Sequence, residues 1–394
     1  MKKTSTTVKD YFIVGVIFLP IFFYPPFVMT EIINEYLRSG SFLLITTFLI
    51  LSSKRVSRQD VYFFILISVF GISMVFLSFP EIQGLRSSYS QIITFFFGFG
   101  LNRYLRYQHS QKITFIKLYI VLFTVIPVCA LLAIIYLRYL GEFNQFSLVS
   151  ESYNYFFTPF GLLLNSHIPL LEFPASFFFF TEPIFLAVIY VANIFFIAPF
   201  LNRYAKLLFI LVNLLGGFLS ASYTFYILMP VIWALTHSKS FIKGVVAVSV
   251  LSICAILILK LDLLHGSSLS ERQERIEGFF EIAGSLDYHE LFFGHGYNKD
   301  SGFYKSFSAG ILIALFEVGV FNIAIIMLIT FLLINNSASI LLLFVFSLLI
   351  FEPQKMPLFW TLMIISAHVL RRDAFMHERS ENLKKINPSK CSAL

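Results

Sequence analysis

The sequence predicts an all-α polytopic integral membrane protein with about twelve transmembrane helices and both termini in the cytoplasm. Three observations carry that prediction. Hydrophobic residues make up 58% of the 394 and charged residues only 13%, about half the charge of a soluble chain. Mean hydropathy is +0.81. Apolar runs of about 20 residues, enough to cross a hydrocarbon core about 30 Å thick, recur along most of the chain.

The predicted spans lie near 11–30, 37–52, 61–79, 87–101, 113–137, 179–200, 204–219, 221–236, 241–261, 307–334, 338–352 and 357–370. The first follows Lys2, Lys3 and Lys9 without a small-residue cleavage site, so it reads as a retained helix. Residues 1–370 form one transmembrane domain, and 371–394 form a basic cytoplasmic tail suited to anionic lipid. The spans are interrupted by two long polar stretches, 138–180 and 262–306. With a cytoplasmic N-terminus, Arg38, Arg86, Arg138, Lys260, Arg272, Arg275, Lys299, Lys305 and Lys355 fall outside. Every other Lys and Arg of the 29 falls inside. That bias sets the orientation and turns both long loops outward, which means the periplasm if the cell is a Gram-negative bacterium. The net charge of +7 is dispersed between apolar runs. No basic stripe with interleaved aromatics suggests nucleic acid, and the partners expected from composition are membrane lipids. Cys129 and Cys254 lie in spans and Cys391 in the tail, which gives no disulfide framework.

Several chemistries lack their signatures. There is no phosphate-binding Gly-rich loop and no Asp-x-Asp pair for a divalent ion on a nucleotide diphosphate. His289-Glu290 begins like a zinc-protease helix but lacks the second His, and no carboxylate or Cys pattern supports a metal at His265, His289 and His295. No cofactor and no metal are expected. Transport remains, as does chemistry on a preactivated, lipid-linked substrate.

Two arginines of the second loop, Arg272 and Arg275, are three apart and share one face of a helix. Their planar forks suit a lipid diphosphate. Equally, Glu271, Glu274 and Glu277 can neutralise them in an exposed, salt-bridged helix. Gly294-His295-Gly296 marks a tight turn after Leu291-Phe292-Phe293. The first loop combines Tyr153, Asn154 and Tyr155 with Asn165, Ser166 and His167. That mixture suits sugar rings and suits a lipid headgroup layer equally well. Glu182 stands at the outer mouth of the sixth span, where a carboxylate is costly unless paired or functional.

These elements together resemble bacterial O-antigen and exopolysaccharide polymerases of the Wzy type, which are similar in turn to GT-C-like polymerases. The resemblance rests on the span number, the two outer loops, Phe179-Phe180-Thr181-Glu182-Pro183, the Arg272/Arg275 stretch, the Leu291 to Gly296 turn, and Glu317-Val318-Gly319 within a span. Two departures stand beside it: Ser220-Ala221-Ser222-Tyr223 where the family often has Ser-x-Ser-Arg, and Pro174 and Ala175 where it often has an Arg before Glu-Pro. The resemblance implies metal-independent glycosyl transfer between two undecaprenyl-diphosphate-linked oligosaccharides, with a chain-length regulator as a further protein partner. It gives Arg275 and Arg272 to the leaving diphosphate, and Glu182, His295 and His289 to the attacking hydroxyl as candidates. Arg138, Tyr153, Tyr155, His167, Lys299 and Lys305 are the expected substrate contacts. An O-antigen ligase is the second reading, though Asn298 to Tyr304 lack the His-Asn pair typical of that enzyme. A flippase or other transporter of lipid-linked glycans is the third.

Overall fold

The computed structural model describes residues 8–23, 35–52, 56–78, 82–140, 145–147, 154–167, 174–178, 183–220, 222–237, 287–294, 310–334, 337–350 and 353–370. It is nearly all helical. Helix α1 (Val8–Phe18) continues as a 3-10 turn through Phe23, and α2 covers Glu35–Leu51. Then come α3 (Arg58–Ser78), α4 (Ile82–Tyr107) and α5 (His109–Leu140). Helix α6 (Pro183–Ala192) runs into a π turn, Asn193–Ile197, and is followed by α7 (Arg203–Leu219) and α8 (Tyr223–His237). A short α9 (Tyr288–Phe293) precedes α10 (Gly310–Leu333) and α11 (Ala338–Ile350). After a 3-10 turn at Pro353–Lys355, α12 covers Pro357–Leu370. The expected span at 241–261 lies outside the described residues.

Capping accounts for several of these limits. Ser57 and Asp60 cap α3 reciprocally: the Ser57 N–H donates to the Asp60 carboxylate at 2.7 Å and the Asp60 N–H to the Ser57 hydroxyl at 3.3 Å. Asn202 accepts from the Ala205 N–H at 3.0 Å and opens α7. Among the described residues, three helical stretches, Arg58–Leu77, Ser110–Tyr136 and Ile313–Leu333, are long and apolar enough to cross a membrane. Large apolar side chains such as Phe12, Leu44 and Phe76 point outward from the bundle, as lipid contact requires. The molecule is therefore a helical membrane protein.

The first long polar stretch corrects the all-α expectation. Residues 145–178 contain a four-stranded antiparallel meander of β1 (Gln145–Ser147), β2 (Asn154–Thr158), β3 (Gly161–His167) and β4 (Pro174–Phe178). The aromatic run Tyr155-Phe156-Phe157-Thr158 favours strand over helix, and Pro159-Phe160 close a two-residue turn with Thr158 opposite Gly161. The sheet rests on the end of α5, where the Phe160 ring lies 6.2 Å from that of Tyr136.

Aromatic packing holds the helices together. Phe63 stacks on Phe99 with centroids 4.2 Å apart, Phe70 meets Phe95 edge-on, and Phe95 meets the fully buried Trp360. Helix α2 approaches α4 so closely at Gly100 that a Cβ there would stand 2.9 Å from the Cβ of Leu49. Such small-residue contacts permit dense packing where lipid offers no hydrophobic drive. One polar chain crosses the core. The Tyr119 hydroxyl donates to Asn193 at 3.0 Å, Asn193 Nδ2 donates to Asn213 at 2.8 Å, and Asn213 donates to the Phe209 carbonyl at 2.8 Å. It ties α5, the π turn and α7 together. Asn193→Leu leaves the Tyr119 hydroxyl and the Asn213 carbonyl oxygen in an apolar core. We expect a loss of about 1–3 kcal/mol, read as a lowered midpoint of thermal unfolding in detergent.

Candidate functional site

Helix α10 is broken near its N-terminal end. Gly319 has φ +72° and ψ 169°, inside an otherwise apolar span. A side chain is strained in that region of backbone space, which glycine occupies freely. Gly294, which ends α9, has φ +93°. The two glycines face one another across the contact between α9 and α10. A Cβ on Gly294 would stand 2.6 Å from the Glu317 carbonyl oxygen, and a Cβ on Gly319 would stand 2.3 Å from the Gly294 nitrogen. Backbone meets backbone there with no room for even a methyl group.

Local sequence explains how α9 reaches this position. Asp287 and Glu290 form a capping box at its start, and the Gly294 N–H closes it on the Glu290 carbonyl at 2.7 Å. Phe292 and Phe293 then pack on Phe321 of α10, with centroids 5.8 and 5.6 Å away. Asn322, fully buried, bridges the break. Its Nδ2 lies within donating distance of the Val318 carbonyl (2.8 Å), the Phe293 carbonyl (3.2 Å) and the Ser73 hydroxyl (2.9 Å). One amide thus joins α10, α9 and α3.

Beside the break, Lys355 Nζ donates to Glu317 Oε2 at 2.7 Å. The two partners differ in access: the carboxylate side chain is 4% exposed and the lysine side chain 29%. A buried carboxylate of this kind has to be compensated, and Lys355 does so. The lysine sits on a rigid mount. Pro353 and Pro357 bracket its turn, and the Gln354 carbonyl accepts the Trp360 indole N–H at 3.1 Å.

The structure brings together the Leu291 to Gly294 part of the expected turn and the Glu317-Val318-Gly319 element. Of the other expected site residues, Arg275, Arg272, Glu182, His295, Tyr153, Lys299 and Lys305 lie outside the described residues. Arg138 is in the last turn of α5. Tyr155 stands in β2 opposite Leu164, and His167 ends β3 opposite Pro174. These three positions belong to one packed unit, because β2, β3 and β4 rest on α5. His289 is on α9, its ring 4.9 Å from that of Phe293. Sequence reasoning missed Asn322 and gave Lys355 no role beyond its side of the membrane. The Pro-bracketed turn Pro353-Gln354-Lys355-Met356-Pro357 was the available signal for the lysine.

Gly319→Ala and Gly294→Ala should each lower the unfolding midpoint more than Gly15→Ala, because a Cβ at Gly15 meets nothing within 4 Å. Limited proteolysis near residues 287–294 should speed up in the first two only. Cleavage and stability unchanged in Gly319→Ala would show that α9 is not held by this contact.

No family model matches the chain, and no curated protein and no solved structure is similar to it at a significant level. The geometry of its own residues is what a functional reading has to stand on.

Proposed function

We propose that the protein is an O-antigen (surface polysaccharide) polymerase. It joins undecaprenyl-diphosphate-linked repeat units by glycosyl transfer at the periplasmic face of the inner membrane. The observation that supports this reading is the junction of α9 with the break in α10. Two sequence elements on which the polymerase resemblance rests meet there, beside the Lys355–Glu317 ion pair. By the positive-inside bias this junction belongs to the outer half of the bundle, since Lys355 lies in a predicted outer connection.

In the reaction, the bond between the donor's anomeric carbon and its diphosphate oxygen breaks. A hydroxyl of the acceptor glycan forms the new bond to that carbon and gives its proton to a base or to water. Undecaprenyl diphosphate departs with the electron pair. Fixed cations near the departing oxygens stabilise the transition state. Arg275 and Arg272 are assigned to that task, and the geometry around Glu317 adds Lys355. Glu182 and His295 are assigned to the acceptor hydroxyl, with the glycan lying along the first-loop sheet. The energy is already stored in the donor linkage, in accord with a sequence that carries no ATP motif.

One observation favours a second reading. A helix broken inside a span, with an ionisable pair beside the break, is a device of transporters. A flippase for lipid-linked glycan would use it to change access.

A clean deletion strain separates the two. Lipid A core carrying one repeat and no ladder supports the polymerase. Bare core with lipid-linked units trapped on the inner leaflet supports the transporter. In the polymerase case, Arg275→Ala is expected to leave one repeat at normal protein level. The charge exchange Glu317→Lys with Lys355→Glu keeps an ion pair but buries the cation, so chain extension should fall about tenfold or more. Normal ladders from the exchanged protein would make the pair structural only.

A further inference from the structure

Helix α9 belongs to the polar stretch 262–306, which hydropathy assigns to the aqueous phase. Its contact with α10 puts it elsewhere. Gly319 is six residues inside the apolar stretch Ile313–Leu333. At a rise of about 1.5 Å per residue, it lies about 9 Å below the edge of that span. The Gly294 backbone touches the Gly319 backbone, so α9 ends at that depth. Phe292 and Phe293 pack on Phe321, which is deeper still. From Gly294 back to Tyr288 a helix advances about 9 Å. Even if α9 rose straight along the membrane normal, Tyr288 would only reach the edge of the span. Leu291 and Phe292 stay below it in every orientation.

The side chains of α9 suit that depth. Tyr288, Leu291 and Phe292 stand at i, i+3 and i+4 on one stripe of the helix, and all three are exposed. Val320, beside the break on α10, is exposed too. On α3, Ser73 meets Asn322, and its neighbours Ile72 and Phe76 are exposed. The stripe therefore continues the apolar outer surface of the bundle.

The polar groups of α9 have partners close by. The Asp287 and Glu290 side chains are engaged in the capping box. The Glu290 carbonyl accepts from the Gly294 N–H, and the Phe293 carbonyl from Asn322. Backbone groups that enter hydrocarbon require such partners.

We propose that α9 dips into the bilayer, with the stripe of Tyr288, Leu291 and Phe292 against lipid acyl chains and its capped start at the headgroups. By the positive-inside bias the leaflet is the outer one. The second polar stretch is then anchored in the membrane at α9. The proposal goes beyond the polymerase reading and stands or falls without it.

The test puts a tryptophan on the stripe of the full-length protein. Trp233→Phe removes an exposed indole and leaves the buried Trp360 as background. In that parent, Leu291→Trp and Phe292→Trp are made singly. Phe292→Trp keeps an aromatic ring against Phe321, so it carries the test if Leu291→Trp does not fold. Leu44→Trp, on the outward face of α2, is the lipid-facing reference. Each protein is reconstituted into phosphatidylcholine vesicles with or without bromine on the acyl chains. Bromolipid should quench the stripe tryptophans as much as the Leu44→Trp reference, and aqueous iodide should quench them little. Strong iodide quenching without a bromolipid effect would overturn the proposal, because α9 then stands in water. Resistance to both quenchers would also overturn it, because protein from this chain or a second copy then covers the stripe.

Discussion

A helix interrupted within a bilayer has to satisfy the backbone groups it releases, because hydrocarbon offers them no hydrogen bonds. Gly319 imposes that requirement on α10, and beside it the Asn322 amide donates to the Val318 carbonyl. The same amide reaches Phe293 and Ser73, so the repair of one helix fixes the place of two others. Helix α9 ends against the break because Gly294 allows its backbone to touch that of α10. Glu317 is turned toward Lys355 in the same stretch. Without the break, α9 would lose its backbone contact with α10.

The rest of the bundle reads as support for two polar ends separated by an aromatic interior. The stacked and edge-on rings from Phe63 to Trp360 fill the space between α3, α4 and α12. In the middle, Tyr119, Asn193 and Asn213 satisfy each other. At the other end of the bundle, polar side chains meet between helices. His368 Nε2 lies 3.1 Å from the Asn102 oxygen, and its Nδ1 faces Lys112 at 3.3 Å. Asp10 accepts from Ser110 and Gln111. A low-dielectric interior makes each unpaired group costly, so these contacts fix helix register as well as charge.

Most helix limits were legible because hydropathy records them directly. The predicted stretches 37–52, 204–219 and 357–370 differ by two residues or fewer from the helices observed. The first-loop sheet was not anticipated, although Tyr155 to Thr158 and the Pro159-Phe160 turn carried its signal. In a chain with 50 Phe, an aromatic run reads first as membrane anchoring. The glycines and Glu317 were legible as elements of a site. Their meeting was not, since Gly294 and Gly319 are joined by van der Waals contact that leaves no mark on composition. Asn322 was hidden for a related reason: one amide in an apolar span reads as a satisfied core residue until its partners are known.

The sequence by itself determined that this chain is a helical membrane protein, where its charged groups are concentrated, and which glycines and carboxylates interrupt its apolar runs. Those properties follow from solvation, which acts residue by residue. Only the tertiary structure decided that α9 locks into the break of α10, that Lys355 is the cation beside Glu317, and that Arg106 meets Gln59. These depend on hydrogen bonds of about 3 Å between residues far apart in the chain, and no local pattern encodes that distance.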